Sequence, residues 1–282
     1  MPAALMECVI NISEGRDHHV VEAVAAAGGT AVLDVHSDPH HHRSVLTLAG
    51  APQAVAEAAR SVARSTVSLI DLRGHAGAHP RFGSLDVVPW VALDGWPVGD
   101  GDERRAVDAR DSFARWAAAE LDLPCFLYGP ERSLPELRRS AWRSLAPDFG
   151  PDHPHPSAGS SAVGARPVLI AYNLWLAEPD LELARRLARG LRGPQLRALG
   201  LRVGDAVQVS CNLIDPWRLG PGAVHDTVAA ETAVERAELV GLLPESVLER
   251  EPRGRWAELG LDSSATIEAR LEQAGLDGGR FS

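Results

Sequence analysis

Apolar and polar positions along the chain alternate between two periods, about 3.6 residues for helices and 2 for strands. Leu5–Ile10 is a short apolar run that reads as a strand. Asp17 is placed to cap a helix carrying Val21, Val24 and Ala25, closed at Gly28-Gly29. Thr30–Val35 is apolar and β-branched, and Ser44–Leu48 alternates before Gly50, so both read as strands. Pro52 opens a helix whose predicted apolar face is Val55, Ala59, Val62, Thr66 and Leu69. Leu85–Leu93 reads as a strand. A helix follows over about Glu103–Leu121, with Ala106, Ala109, Phe113 and Ala117 on one face, and Pro124–Tyr128 is a last short strand.

The second half repeats the order. Val168–Trp175 is strand-like, and Pro179 opens a helix with Ala184, Leu187, Ala188 and Leu191 on its apolar face. Arg197–Val203 and Val207–Leu213 read as two strands around Gly204-Asp205, Gly222–Glu235 as a helix and Ala237–Val240 as a strand. Ile267, Leu271 and Ala274 mark a terminal helix ending at Gly275. Each half thus suggests a βαββαβ unit. The fold expected is α+β, two ferredoxin-like lobes flanking a ligand cleft, with subdomains at 1–165 and 166–282. Between them, Ala146–Arg166 is rich in Pro, Gly, Ser and His. It is a linker, or it lines a ligand site where small residues let backbone amides approach an anion.

Composition narrows the function. The 282 residues are 45% hydrophobic and 23% charged, which excludes wholesale disorder. No apolar run approaches the roughly 18–20 residues that span a bilayer, and the N-terminus lacks the basic flank of a secretory signal. Cys8, Cys125 and Cys211 are an odd count at wide spacing, which fits a reducing cytoplasm. The formal net charge is −10, an unfavourable balance for general nucleic-acid binding. All 28 basic residues are arginines, so no lysine is available for Schiff-base chemistry, while local arginines still suit anionic small ligands.

Histidine is the most unevenly placed residue. Six of the 11 fall in two loops: His36, His40, His41 and His42 in the first, His75 and His79 in the second. For the first loop, Asp34 to Arg43, three readings compete. It is a polar turn started by Asp38-Pro39, a metal site with Asp34 and Asp38, or an anion and proton-transfer surface in which Asp38 and Arg43 orient a substrate. No recognised metal-ligand spacing supports the second. The other loop, Arg73 to Gly83, holds Gly74, Gly77 and Gly83, and Pro80 fixes the backbone of His79. His79 near Arg81 suits general acid–base work on an amine, or is a loop histidine bonded to a carbonyl.

Several segments carry a family resemblance. Met6-Glu-Cys-Val-Ile-Asn-Ile-Ser-Glu-Gly-Arg16, Ser37-Asp-Pro with Arg43-Ser-Val-Leu-Thr47, and Gly77-Ala-His-Pro-Arg-Phe-Gly83 with Leu85-Asp-Val-Val-Pro89 occur in order. Pro147-Asp-Phe-Gly-Pro151, Gly159-Ser-Ser-Ala-Val-Gly-Ala-Arg166, Ile170-Ala-Tyr-Asn173, Val207-Gln-Val-Ser-Cys-Asn-Leu213 and Leu239-Val-Gly-Leu-Leu-Pro244 continue them. Together they resemble the glutamate formiminotransferase family over nearly the whole chain.

The resemblance implies transfer of a formimidoyl group from N-formimidoyl-L-glutamate to tetrahydrofolate, in histidine degradation and one-carbon metabolism. It implies a homodimer, and a cyclodeaminase that is a separate protein if it is present; the transfer itself requires no metal, and the cysteine count favours the cytoplasm. The family's catalytic histidine maps to His79; on the chemistry of the transfer, Asp38 is the candidate to hold the imidazolium or the pterin. Its folate segment maps to Gly150, Pro151, Asp152, His153, Pro154, His155, Pro156, Ser157, Ala158 and Gly159. Arg16, Arg43, Arg81 and Arg166 are the candidates for the substrate carboxylates. The chain departs from the family pattern at Ala76, Ala78 and Phe82, at Ile10 and Ile12, and at His42. These departures keep open formyl transfer from N-formylglutamate and a folate-binding homologue without turnover; the histidine clusters leave a metal-dependent hydrolase as a further, more distant alternative.

Overall fold

The computed structural model describes residues 4–75, 81–93 and 103–276. β1 (Met6–Ile12) turns Met6, Cys8, Ile10 and Ile12 to one face, as a period of two requires, and all four are buried in the core. The Asp17 carboxylate caps α1 (His18–Ala27) by accepting from His19 N at 3.0 Å and Val20 N at 3.3 Å. β2 (Val32–Asp38) and β3 (Arg43–Gly50) form a hairpin, α2 (Pro52–Leu69) follows with proline in its first turn, and β4 (Leu85–Ala92) completes the unit. Val55, Ala59, Val62 and Thr66 are buried on α2 as the spacing predicts. Leu69 is exposed, because the helix ends there and the chain turns inward only at Ile70.

The first sheet has the order β2-β3-β1-β4, the arrangement of a split βαβ, extended by two parallel strands, β6 (Ser161–Ala165) and β5 (Cys125–Tyr128). α3 (Glu103–Leu121) packs Phe113, Ala114 and Ala117 against the same core as α1 and α2, and α4 (Leu134–Ser140) lies after β5. Each fully buried aliphatic side chain in this core contributes about 1.5–3 kcal/mol.

The second unit repeats the plan with its own core. β7 (Ile170–Leu176), α5 (Leu181–Leu191), β8 (Leu196–Val203), β9 (Ala206–Leu213), α6 (Pro221–Ala229) and β10 (Val234–Val240) form a sheet of order β10-β7-β9-β8. α7 (Glu245–Leu248) and α8 (Ile267–Gln273) close it. The fold is α+β, and each unit carries the βαββαβ order read from the sequence. By contacts, one unit takes in the chain through Pro167 together with the segment from Ala274, and the other is Val168–Gln273. Among the described residues, no helix is long and apolar enough to cross a membrane.

Three elements differ from the sequence reading. Residues 161–165 are a strand, although their Ser, Ala and Gly content reads as loop. Small residues are required there because β6 is covered on both sides: a Cβ on Gly164 would lie 2.0 Å from the Tyr128 ring. The helix expected to run to Glu235 stops at Ala229, since Val234 already pairs with Leu176 in the sheet. α4 went unread, although Ser133 and Glu136 form a capping box at its start.

Candidate active site

The sheet face of the first unit that turns away from α1–α3 is mixed: Val87, Phe126, Tyr128 and Ala162 form an apolar cluster under α4, and polar side chains lie beside it. β1 presents Glu7 and Asn11 there, alternating with its core residues, and both are buried. Asn11 Oδ1 accepts from the Arg43 guanidinium, and Asn11 Nδ2 donates to Val9 O at 3.1 Å. In the β1–β4 ladder Asn11 pairs with Val87 and Ile12 with Leu85, so Asp86 is the extra residue of a bulge. Bulges re-aim side chains. Asp86 is buried, accepts from Phe82 N at 2.6 Å and lies 3.8 Å from Arg138 Nη2.

Around Asp86 the charge is mostly positive. Burial pulls the Arg43 pKa down, Asp86 opposes that, and Arg138 and Arg81 add to it. Burial also lowers Arg81, against Asp86 and with Arg16. Three guanidiniums thus bear on one carboxylate. Arginine stays charged through such shifts, so the cluster retains capacity for an anion.

Two imidazoles adjoin it. The rings of His42 and His75 stack with centroids 3.9 Å apart at 26°. His42 holds this position from a left-handed backbone, φ 52°, at the end of the β2–β3 turn. Its Nδ1 is 3.2 Å from Glu14 Oε1, and that same oxygen accepts from the amides of Gly15, Arg16 and Asp17 at 2.8–3.0 Å. Arg81 donates to His75, with Nη1 2.8 Å from Nε2. Burial lowers the His75 pKa, and the charges of Arg81 and His42 lower it further. Burial also lowers His42, and Arg16 and Arg81 add to the effect against Glu14. Both rings are thus biased toward the neutral form.

The expected residues fall into three groups. Arg43 and Arg81 both feel the charge of Asp86. Arg16 and Asp38 belong to the hairpin tip: Arg16 Nε donates to Pro39 O at 2.8 Å, and Asp38 Oδ1 accepts from the amides of His40 and His41, each at 2.8 Å. Burial raises the Asp38 pKa, but these bonds and the His41 ring, 3.2 Å away, outweigh it and hold the carboxyl below its ordinary range. Arg166 lies beyond β6, its N–H bonded to Trp90 O at 3.1 Å. There burial pushes the Glu7 carboxyl up to about 7 against the Arg166 charge, and burial pushes Tyr128 up to about 12. His79 lies outside the described residues, as do Ala76 and Ala78.

The segment 150–159 is half built into the sheet. Asp152, His153, Pro154 and Pro156 are exposed, whereas Ala158 is buried. His155 and Gly159 exchange backbone bonds at 2.7 and 3.0 Å, and His155 Nδ1 accepts from Ala158 N at 3.0 Å, which closes a tight turn. Ser84 N donates to Ala158 O at 2.8 Å, Ser160 N to Phe82 O at 3.1 Å and Leu72 N to Ser157 O at 2.8 Å. The end of this segment is thus tied to Leu72 on one side of residues 76–80 and to Phe82 and Ser84 on the other. Gly83 is needed at the crossing, because a Cβ there would sit 2.0 Å from Ser160 O. Among the described residues, no group of three or more His, Cys, Asp or Glu is placed to hold a metal ion.

Sequence reasoning missed Asn11, Glu14, Asp86 and Arg138 as members of this cluster, and did not pair His42 with His75. The alternation in β1 points to Asn11, and the capping box at Ser133 points to the helix that carries Arg138. Nothing in the sequence signals the bulge at Asp86.

A family model described as "Formiminotransferase domain, N-terminal subdomain" matches residues 5–166. The chain is 32% identical to the glutamate formimidoyltransferase of Streptococcus pyogenes serotype M1, over 87% of this chain and 91% of that protein. It is 31% identical to the glutamate formimidoyltransferase of Thermoplasma acidophilum, over 96% and 98% respectively. It is 35% identical to the formimidoyltransferase-cyclodeaminase of Sus scrofa over 85% of its length, and spans 50% of that longer protein. With the βαββαβ units and the polar cluster of the first sheet in place, the match across the first unit and the near full-length relatives have one consequence: the chain belongs to the formiminotransferase family.

Proposed function

We propose that the protein is a glutamate formimidoyltransferase, which moves a formimidoyl group from N-formimidoyl-L-glutamate to tetrahydrofolate. The observation that carries the reading from geometry is the guanidinium cluster at Asp86 beside the stacked His42–His75 pair, adjoining the segment bonded to residues 82–84. Both substrates carry carboxylates, for which arginine supplies paired donors.

The chemistry is a substitution at the formimidoyl carbon. Nitrogen 5 of tetrahydrofolate forms the new C–N bond and becomes positively charged. It loses a proton, the bond to the glutamate nitrogen breaks, and that nitrogen takes up the electron pair and a proton. Atoms and charge balance with no oxidant and no covalent enzyme intermediate. His79, in the family's catalytic position, carries the proton from one nitrogen to the other, a step worth about 10²–10⁴-fold. Arg43 and Arg81 orient the donor's carboxylates, Arg16 and Asp38 bound the hairpin side, and segment 150–159 with Arg166 meets the folate. The reading includes a cytoplasmic homodimer acting in histidine degradation.

Purified protein given both substrates should form 5-formimidoyltetrahydrofolate and glutamate in equal amounts, followed by chromatography. No product with both substrates present would overturn the reading. Product from N-formylglutamate in place of the formimidoyl donor would move the assignment to formyl transfer.

A further inference from the structure

Trp142 has no place in the site as described, and its conformation is costly. It is a bulky residue in the left-handed region, φ 62°, where side chains other than glycine are strained by about 1–3 kcal/mol. The turn after α4 holds it there: Trp142 N donates to Leu145 O at 3.0 Å, and Leu145 N to Ser140 O at 3.1 Å. The indole is set edge-on to Phe126, with centroids 5.0 Å apart at 87°. Its N–H points to Ser160 Oγ at 3.4 Å, the residue after Gly159. Yet the residue stays 38% exposed. A strained tryptophan, oriented by its neighbours and left open beside the segment expected to meet folate, has the features of a stacking surface.

The charge nearby selects what stacks. Phe126 contacts Phe82 at 6.1 Å between centroids, and the Arg138 guanidinium lies over Phe82 at 5.9 Å. Arg138 Nε is buried with no hydrogen-bond partner among the described residues, and Asp86 at 3.8 Å is shared with Arg43 and Arg81. This environment attracts an anion. The pterin end of folate is uncharged, whereas the aminobenzoyl ring carries the glutamate tail with its carboxylates.

We propose that Trp142 is the stacking surface for the aminobenzoyl ring of the folate substrate, and that Arg138 receives a carboxylate of its glutamate tail. This rests on the folate-dependent reading above and adds two binding residues to it.

The test measures binding by calorimetry with p-aminobenzoyl-L-glutamate, so that no turnover is required. Trp142→Gly relieves the backbone strain while removing the ring. It should raise the Kd for the fragment about tenfold or more, as loss of one aromatic stack does, while the melting temperature reports that the fold is kept. Trp142→Phe should keep most of the affinity. Arg138→Met should weaken p-aminobenzoyl-L-glutamate and leave p-aminobenzamide, which lacks the tail, unchanged. Unchanged affinity in both Trp142→Gly and Arg138→Met, or no binding by the native protein, overturns the proposal. So does a loss confined to 6-methyltetrahydropterin, which would place the pterin on Trp142. A native protein that binds the fragment through Trp142 yet transfers no formimidoyl group would overturn the transferase reading and leave this subsite standing.

Discussion

Glu7 shows how a single residue records the polarity of a sheet face. It alternates with Met6 and Cys8 on β1, so its side chain leaves the hydrophobic core but remains buried. Burial raises its pKa from 4.5 to about 7, and Arg166 only partly opposes this. The folded state therefore holds a proton there that the unfolded chain releases above pH 4.5. Stability from this group is present below pH 4.5 and lost as pH rises through 7. Glu7→Gln removes that dependence, and should stabilise the protein by about 2–3 kcal/mol at pH 8 and by little at pH 4. Denaturant unfolding at the two pH values checks it; equal effects would mean that Glu7 is ionised in the fold. His79 is the other test at this scale. His79→Ala should lower turnover about 10²–10⁴-fold and leave the Kd for folate within a few-fold, since its task is proton transfer. Near-normal turnover would pass that task to the His42–His75 pair. The sequence marked His79, Arg43 and Arg81 through their motifs. The His42–His75 stack joins residues 33 positions apart, and only the meeting of the β2–β3 turn with the chain after α2 produces it.

At the scale of elements, the site depends on two departures from regular structure. The bulge that places Asp86 and the glycine crossing that joins residues 82–84 to 158–160 both involve backbone in close approach. Gly83→Ala would drive a Cβ to 2.0 Å from Ser160 O and 2.4 Å from Ala158 O, both backbone atoms that cannot rotate aside. Stability should fall by about 3 kcal/mol, and proteolysis should open the 150–160 segment before the rest of the chain. An alanine variant with native stability and protection would show that the two segments are not joined. Elements bounded by strong local signals, such as α1 behind Asp17 and α2 behind Pro52, were readable in advance. β6 was not, because its small residues answer to the Tyr128 ring and to strands on both sides of it.

For the whole molecule, the repeated order βαββαβ gives each unit a sheet and a helix layer of its own. In the second unit, Tyr172, Leu174, Val209 and Leu213 bury one sheet face against Ala184, Ala188, Val224 and Val228. Tyr172 donates its hydroxyl to Leu259 O at 2.8 Å, which ties the chain after α7 to the same core. A core that closes within residues 168–273 should fold without the rest. That fragment, expressed alone, should unfold in one cooperative transition seen by circular dichroism. A fragment lacking tertiary signals would show that its core is completed elsewhere.

The sequence by itself determined the two βαββαβ orders, the arginine-only basic character and the family, because each is written in local periodicity or in contiguous motifs. The tertiary structure alone decided which polar residues work together. Asn11 reaches Arg43, Asp86 gathers Arg43, Arg81 and Arg138, and Ser160 faces Trp142, mostly between elements distant in sequence. The physical reason is that hydrogen bonds and charges act over a few ångströms, whatever the chain separation. Register, bulges and backbone crossings set those distances, and no window of consecutive residues encodes them.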